Sequence, residues 1–338
     1  MFFHMGLLEF NDRGIYCPKG DFYIDPWRPV KRAVITHAHA DHARWGHKYY
    51  LAHPLSVPVL RQRLGAGIKV QALEYGEKIN LLGTEVSLHP AGHIPGSAQV
   101  RVEYQGQIWV VSGDYKLEDD GLCIPFEPVP CQHFITESTF GLPVYRWPEP
   151  REELAALRHW WEKNAVEGTV SVVAAYALGK AQRVLQSLED GPGDIWTHGA
   201  TENVNAVLRD AGLTLPETRR VEREHGKKDL QGGLVLCPPS ALGSTWLRRF
   251  QPYRTAFCSG WMALRGARRR RAADRGFVIS DHADWPGLNL AVEATGAENV
   301  YVTHGYTELF ARWLREEKGL NAFPVETLYE GETVEGDV

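Results

Sequence analysis

The sequence predicts an α+β protein in which a strand-rich domain, assembled from two chain segments, is interrupted by an α/β insert. Three observations carry this reading. Up to about residue 148 the chain reads as short strands separated by turns, several of them ending at a polar, potentially reactive residue. From 149 to 272 strand-like and helix-like stretches alternate, the pattern of a parallel sheet with crossover helices. From 273 the first style returns. The expected domains are therefore 1–148 with 273–338, and the insert 149–272.

The elements follow in order. Residues 33–36 are a short β-branched run that ends at a histidine cluster, and 85–88 alternate and end at His89-Pro90. Residues 99–104 and 108–112 read as a hairpin around Gln105-Gly106-Gln107, and 134–136 as a further strand. In the insert, 151–163 has helical spacing through Leu154, Leu157, Trp160 and Trp161. A buried-strand run at 169–175, a helix at 179–188, a short strand at Ile195-Trp196 and a helix at 201–208 come next. Residues 277–279 are a strand ending at Ser280-Asp281-His282, and 299–303 a strand ending at His304-Gly305, with a helix at 307–317.

Composition excludes several classes. With 43% hydrophobic and 23% charged residues, 338 residues bury a core without disulfide or metal staples. No window approaches the roughly 18 apolar residues of a membrane helix, so no membrane partner is expected. The first residues lack the basic and small-residue pattern of a secretion signal, and the five scattered cysteines read as reduced thiols, so a cytoplasmic location is expected. The net charge of −5 argues mildly against a nucleic-acid partner, but distribution outweighs the sum.

The strongest signal is Thr36-His37-Ala38-His39-Ala40-Asp41-His42, with four metal-ligand side chains directly after a strand. In an extended segment alternate residues point the same way, so His37 and His39 can grip one ion, and a turn into a helix would swing Asp41 and His42 toward a second. Imidazole and carboxylate suit zinc. His93 lies among glycines in Ala91-Gly92-His93-Ile94-Pro95-Gly96-Ser97, Asp114 in Ser112-Gly113-Asp114-Tyr115 is placed to bridge two ions, and His304 ends a late strand. Taken singly each is weak; in this order behind the cluster they complete two sites.

His-x-His-x-Asp-His, then Gly-His, then Ser-Gly-Asp, then a late His resembles the metallo-β-lactamase fold. Glu137 in Thr136-Glu137-Ser138-Thr139-Phe140-Gly141 and His282 in Ser280-Asp281-His282-Ala283-Asp284 resemble the first two motifs of its β-CASP branch, and His304 the third. Tyr176-Ala177-Leu178-Gly179-Lys180-Ala181-Gln182 is similar to that branch's cap signature. The stretch from Ser259-Gly260-Trp261-Met262 to Trp285 resembles the bacterial DNA ligase-associated (DNA damage response) exonucleases. The resemblance implies an αββα sandwich with an inserted β-CASP cap. It implies His37, His39 and His93 around one metal, Asp41, His42 and His304 around the other, Asp114 bridging, and Asp25 supporting the ligands without touching metal. It departs in one respect: DNA-specific members usually carry Val where this chain has His304, the choice of RNA-processing members.

The chemistry implied is two-metal phosphodiester hydrolysis, with two ions, zinc or else manganese, sharing an activated hydroxide, with Asp41 and Asp114 among the catalytic residues, and with His282 as general acid oriented by Glu137. Arg265, Arg268, Arg269, Arg270, Arg271 and Arg275 crowd just before His282; such a run is ordinarily a solvated face, but here it is placed to follow a phosphate backbone. Ser138, Thr139, Ser240 and Ser244 are further candidate phosphate contacts. The expected function is a DNA exonuclease acting in repair on single-stranded ends, in association with a DNA ligase and helicase. The alternatives are an RNA-processing nuclease of the same branch and a small-molecule metallo-hydrolase.

Overall fold

In the computed structural model the described residues are 3–4, 6–264, 266 and 273–329. They form two compact units, one running up to Tyr145 and resuming at His282, the other spanning Arg146–Asp281. Residues 273–281, expected with the first domain, cluster with the second unit. The reason is local: the strand Arg275–Phe277 pairs in parallel with Tyr253–Cys258 of the insert.

The first unit holds two seven-stranded sheets among its described residues. One runs in chain order through β1 (Phe3–His4), β2 (Glu9–Asn11), β3 (Gly14–Cys17), β4 (Phe22–Ile24), β5 (Arg32–Val34), β6 (Tyr49–Ala52) and β7 (Val70–Ala72). The other contains β8 (Lys78–Leu81), β9 (Thr84–Pro90), β10 (Ala98–Tyr104), β11 (Gln107–Val111) and β12 (His133–Ser138), closed by strands Asn299–Gly305 and Asn321–Pro324 beside β12. The expected hairpin forms between β10 and β11. Gln105 and Gly106 both take positive φ, the two-residue turn whose twist matches paired strands.

The inner faces of the two sheets share one core, with Phe22, Ile24, Val34 and Leu51 of the first against Val86, Val100, Trp109 and Ile135 of the second. The opposite face of the second sheet is covered by the helices Trp285–Thr295 and Thr307–Lys318, through Leu288, Val292, Phe310 and Leu314. The parallel strands β11, β12 and Asn299–Gly305 therefore end at one edge, and β9, antiparallel to β10, ends there too. A backbone bond from Ala98 N–H to the Thr36 carbonyl (2.7 Å) brings the loop after β5 to the same edge. Loops at strand ends on a rigid scaffold are where reactive groups are placed.

The second unit is a six-stranded sheet whose pairs are all parallel, with helices at Pro150–Val166, Lys180–Ser187 and Gly199–Asp210. Its strand Val170–Ala174 is buried at every position, as a strand covered on both faces must be. The stretch Tyr176 to Gln182 braces this unit. Gln182 accepts from Gly179 N–H (2.7 Å) and donates to the Ala177 carbonyl and to Asn205 (2.9 and 2.8 Å). Buried Lys180 lies over the Tyr176 ring and 3.9 Å from Asp281.

Candidate metal centre

Beyond β5 the chain leaves the sheet, and the expected helix amounts to one turn: Ala43 N–H bonds the His39 carbonyl at 2.9 Å. That turn suffices to bring the candidate ligands together. His37, His39, His93 and Asp114 each offer an atom within 4.8 Å of the others, as do Asp41, His42 and His304, and as do Asp114, Glu137 and His282. Asp114 Oδ2 stands 3.7 Å from His37 Nε2, 3.5 Å from His42 Nε2 and 3.9 Å from His93 Nε2. His42 Nε2 lies 3.6 Å from Asp41, and the facing ring nitrogens of His39 and His93 are 3.1 Å apart.

Close backbone approach makes this possible. Gly113 has φ +58, and a Cβ there would meet Thr36 at 2.7 Å, so the two ligand loops could not come together around any other residue. On the far side, pairing shifts register between Thr136/Val302 and Ser138/Gly305, leaving Thr303 and His304 opposite Glu137. This bulge aims both Glu137 and His304 into the site, and His304 accepts a strained φ of +57 to do so.

The electrostatics ask for cations. His37 Nε2, His42 Nε2, Asp114 Oδ1 and His304 Nδ1 are buried without any hydrogen-bond partner. Four orphaned polar atoms at one place would be a heavy penalty in a finished core, and divalent metal ions would satisfy them all. Burial, reinforced by the neighbouring histidines, holds His37 well below its ordinary pKa, in the neutral form that ligates metal. Burial likewise raises the Asp114 carboxyl, against the pull of His42. Burial alone would lower His42, yet Asp114, Asp41 and Asp25 together push it up to about 10. The donor set therefore fits a pair of divalent ions.

Asp25 is buried, with φ +41, and belongs to none of the three clusters. Its Oδ2 accepts from His42 Nδ1 (2.8 Å) and from the Thr36 hydroxyl, and its Oδ1 from Thr36 N–H (2.8 Å). Glu137 meets His282 Nδ1 with both oxygens (3.0 and 2.9 Å), while accepting from Tyr115 N–H (2.7 Å) and the Thr139 hydroxyl. Burial would raise the Glu137 carboxyl, but His282 and these donors hold it below the usual range.

The remaining candidates are placed otherwise. Ser138 donates to the carbonyls of His304 (2.6 Å) and Thr303 (3.3 Å), and Thr139 to Glu137, so both hydroxyls are engaged inside the unit. Ser240 and Ser244 belong to the second unit; Ser240 is exposed, and Ser244 bonds the Ala241 carbonyl at 2.7 Å. Arg265, Arg268, Arg269, Arg270 and Arg271 lie outside the described residues, while Arg275 is exposed and covers the Phe277 ring. Sequence reading missed Tyr329, whose ring stacks on His42 (4.5 Å, 10°) and whose hydroxyl bonds the Asp25 carbonyl at 3.3 Å.

No family model matches the chain. It is 33% identical over 315 residues to a probable DNA ligase of Opitutus terrae, aligning 92% of itself with 30% of that protein. It is 28% identical over 205 residues to a ribonuclease of Thermus thermophilus, covering 53% of this chain and 45% of that one. It is 30% identical over 128 residues to an endoribonuclease of Candida glabrata, covering 36% and 16%. The chain belongs to the metallo-β-lactamase-fold β-CASP nuclease family. It spans less than half the length of each of these three proteins. Among solved structures, a crystal structure of a protein of unknown function from Enterococcus faecalis V583 superposes with a TM-score of 0.60 at 13% identity, over 88% of this chain and 79% of that one; the likeness is one of fold alone. Among the described residues, no helix is long and apolar enough to cross a membrane.

Proposed function

We propose that this β-CASP chain is a two-metal phosphodiesterase, and that it shortens single-stranded DNA from an end during repair. On this reading the two-sheet unit, with its helices, is the αββα sandwich and the parallel-sheet unit the inserted β-CASP cap. The observation that carries the proposal is the convergence of four orphaned buried atoms on two adjoining ligand clusters, with an acid–base pair beside them.

His37, His39 and His93 would hold one zinc ion, Asp41, His42 and His304 the other, and Asp114 would serve both. Such a pair supplies a water ionised near neutral pH and neutralises charge on the phosphoryl oxygens. The chain's own residues do the rest. Asp25 fixes the His42 ring through Nδ1, which directs Nε2 toward Asp41 and Asp114. Glu137, held as a carboxylate, fixes His282 in the tautomer with hydrogen on Nδ1. Nε2 is then the nitrogen through which His282 delivers a proton to the leaving oxygen. Ligands as deeply buried as His37 and His93 favour a flexible single strand over a stiff duplex.

DNA is favoured by the alignment of nearly the whole chain with part of a probable DNA ligase, which also points to a ligase as functional partner. The second reading, an RNA-processing nuclease, is favoured by the ribonuclease relatives and by His304. The test is a time course on linear and circular single strands of DNA and RNA. Stepwise shortening of linear DNA while circles resist supports the proposal. Rapid cutting of circles, or a preference for RNA, transfers the function to the second reading, and no cleavage of any strand overturns both.

A further inference from the structure

Immediately after the metal-ligand loop the chain does something the metal centre does not require. Trp45, four residues beyond Asp41, is 76% exposed. A lone exposed hydrophobic residue means little; Val166 is 90% exposed. Trp45 differs in three respects.

First, its backbone is fixed. The Tyr50 hydroxyl donates to the Arg44 carbonyl and accepts from His47 N–H, both at 3.1 Å. Val30 N–H donates to the buried His47 ring at 3.3 Å, and Lys48 N–H bonds the Val30 carbonyl at 3.0 Å. Gly46 takes φ +97 against Pro29, where a Cβ would meet the proline ring at 3.1 Å. A pinned backbone thus carries an indole held out to solvent, which is the low-entropy way to build a contact surface.

Second, the indole lines an open groove of about 650 Å³ together with Arg44, Arg63, Trp27 and Asp41. That volume is in the range of sites for nucleotide-sized ligands. Asp41 belongs to the second ligand cluster, so the groove opens directly beside the metal centre.

Third, the groove is flanked by cations with donors in reserve. Arg44 bonds the Leu328 carbonyl (3.0 Å) and reaches the Asp41 carbonyl (3.5 Å), and Arg63 bonds the Ala38 carbonyl (2.5 Å). Each guanidinium carries five N–H donors, so both are positioned by backbone and still able to receive phosphate oxygens.

We propose that the Trp45–Arg44–Arg63 groove is a nucleotide subsite for single-stranded nucleic acid, with a base stacked on Trp45 and the adjoining backbone phosphate held by the two arginines. The proposal deepens the phosphodiesterase reading and rests on it for the identity of the ligand. An aromatic face beside cations binds any base, because every base offers a π-face, so the subsite grips the strand without reading its sequence. It also sets the register of the strand, fixing which phosphate lies over Asp41 and Asp114.

Binding is measured by fluorescence anisotropy of a labelled hexathymidylate on metal-loaded His282→Ala protein, in which cutting is suppressed. Trp45→Ala in that background is expected to weaken binding roughly 5- to 150-fold, the span of one lost base-stacking contact. Trp45→Phe is expected to restore most of it, and metal content is expected to stay at the parent's value in both. Affinity within twofold of the parent for Trp45→Ala overturns the proposal. So does loss of metal together with affinity, which would make Trp45 a support of the ligand loop. Because binding is read without turnover, failure of wild-type protein to cut any strand would refute the nuclease reading separately.

Discussion

Replacing Asp25 by asparagine alters one end of a side chain that belongs to none of the three clusters, yet it should cost the centre a candidate ligand, His42. Asp25 Oδ1 accepts from Thr36 N–H, while Oδ2 accepts from both the Thr36 hydroxyl and His42 Nδ1. A carboxylate satisfies all three donors; an amide cannot. With its oxygen kept on Thr36 N–H, the amide NH2 faces His42 Nδ1, and the ring answers by moving its proton to Nε2. That is the nitrogen turned toward Asp41 and Asp114, and a protonated nitrogen ligates nothing. With the amide reversed, Thr36 N–H is left buried and unpaired, a penalty of about 1–3 kcal/mol. Either way the second cluster loses pre-organisation, and losses at such supporting partners run to about 10- to 100-fold in metal affinity, or about 1.4–2.7 kcal/mol. The assay is competition for zinc with a chromogenic chelator. Thermal unfolding of the metal-free protein serves as control, since only the first amide orientation leaves folding intact. Equal zinc affinity in Asp25→Asn and wild type would refute the reasoning, because it would mean that Asp25 does not set the His42 tautomer. The proton that cationic His42 carries on Nε2, distinct from the one Nδ1 shares with Asp25, gives a pH signature. His42, pushed up to about 10 before metal binds, must release its proton to ligate, so affinity should fall about tenfold per pH unit as pH drops below that value.

Asp114→Ala should remove most bound metal as read by elemental analysis, because Asp114 faces His37, His42 and His93 at once. His282→Ala should keep its metal and lower turnover by roughly 10²–10⁴-fold; loss of metal instead would make His282 a ligand. A stability prediction comes from His47 and His53, whose pKa values burial lowers to about 4. The unfolded chain protonates them near 6.5, so between about 6.5 and 4 it binds more protons than the fold does, and stability falls as pH falls through that window. The loss is at most about 3 kcal/mol per histidine; denaturant titration at pH 7 and pH 4.5 should show a smaller acid loss in His47→Gln than in wild type.

What could be read from the chain, and what could not, divides by the range of the interaction. His37, His39, Asp41 and His42 lie within six residues, so their convergence needs only one strand end and one turn. His93, Asp114 and His304 were legible as polar residues closing apolar strands, because the sheet brings those ends to one edge. The early strands were not: Glu9–Asn11, Gly14–Cys17 and Phe22–Ile24 have three or four residues each, too few to show a period of two. The helix Trp285–Thr295 was missed beneath a Trp-Pro-Gly opening, although Asp284 caps it by accepting from Gly287 N–H. The strand read at 277–279 lies at Arg275–Phe277, since Val278 turns its N–H to Glu153 instead of to a neighbouring strand.

Tyr329 shows the limit most sharply. It reaches Asp25 across 304 positions, and nothing in its neighbourhood along the chain marks it. Its ring stacks on His42 while its hydroxyl bonds the Asp25 carbonyl, so it clamps both partners of the hydrogen bond that sets the His42 tautomer. The candidate ligands of this centre are therefore legible from short motifs, but the contacts that hold His42 in place come from a residue far along the chain. A segment ending well beyond the last ligand is consequently part of the centre, and the orientation of His42 depends on the docking of residues that no local motif reveals.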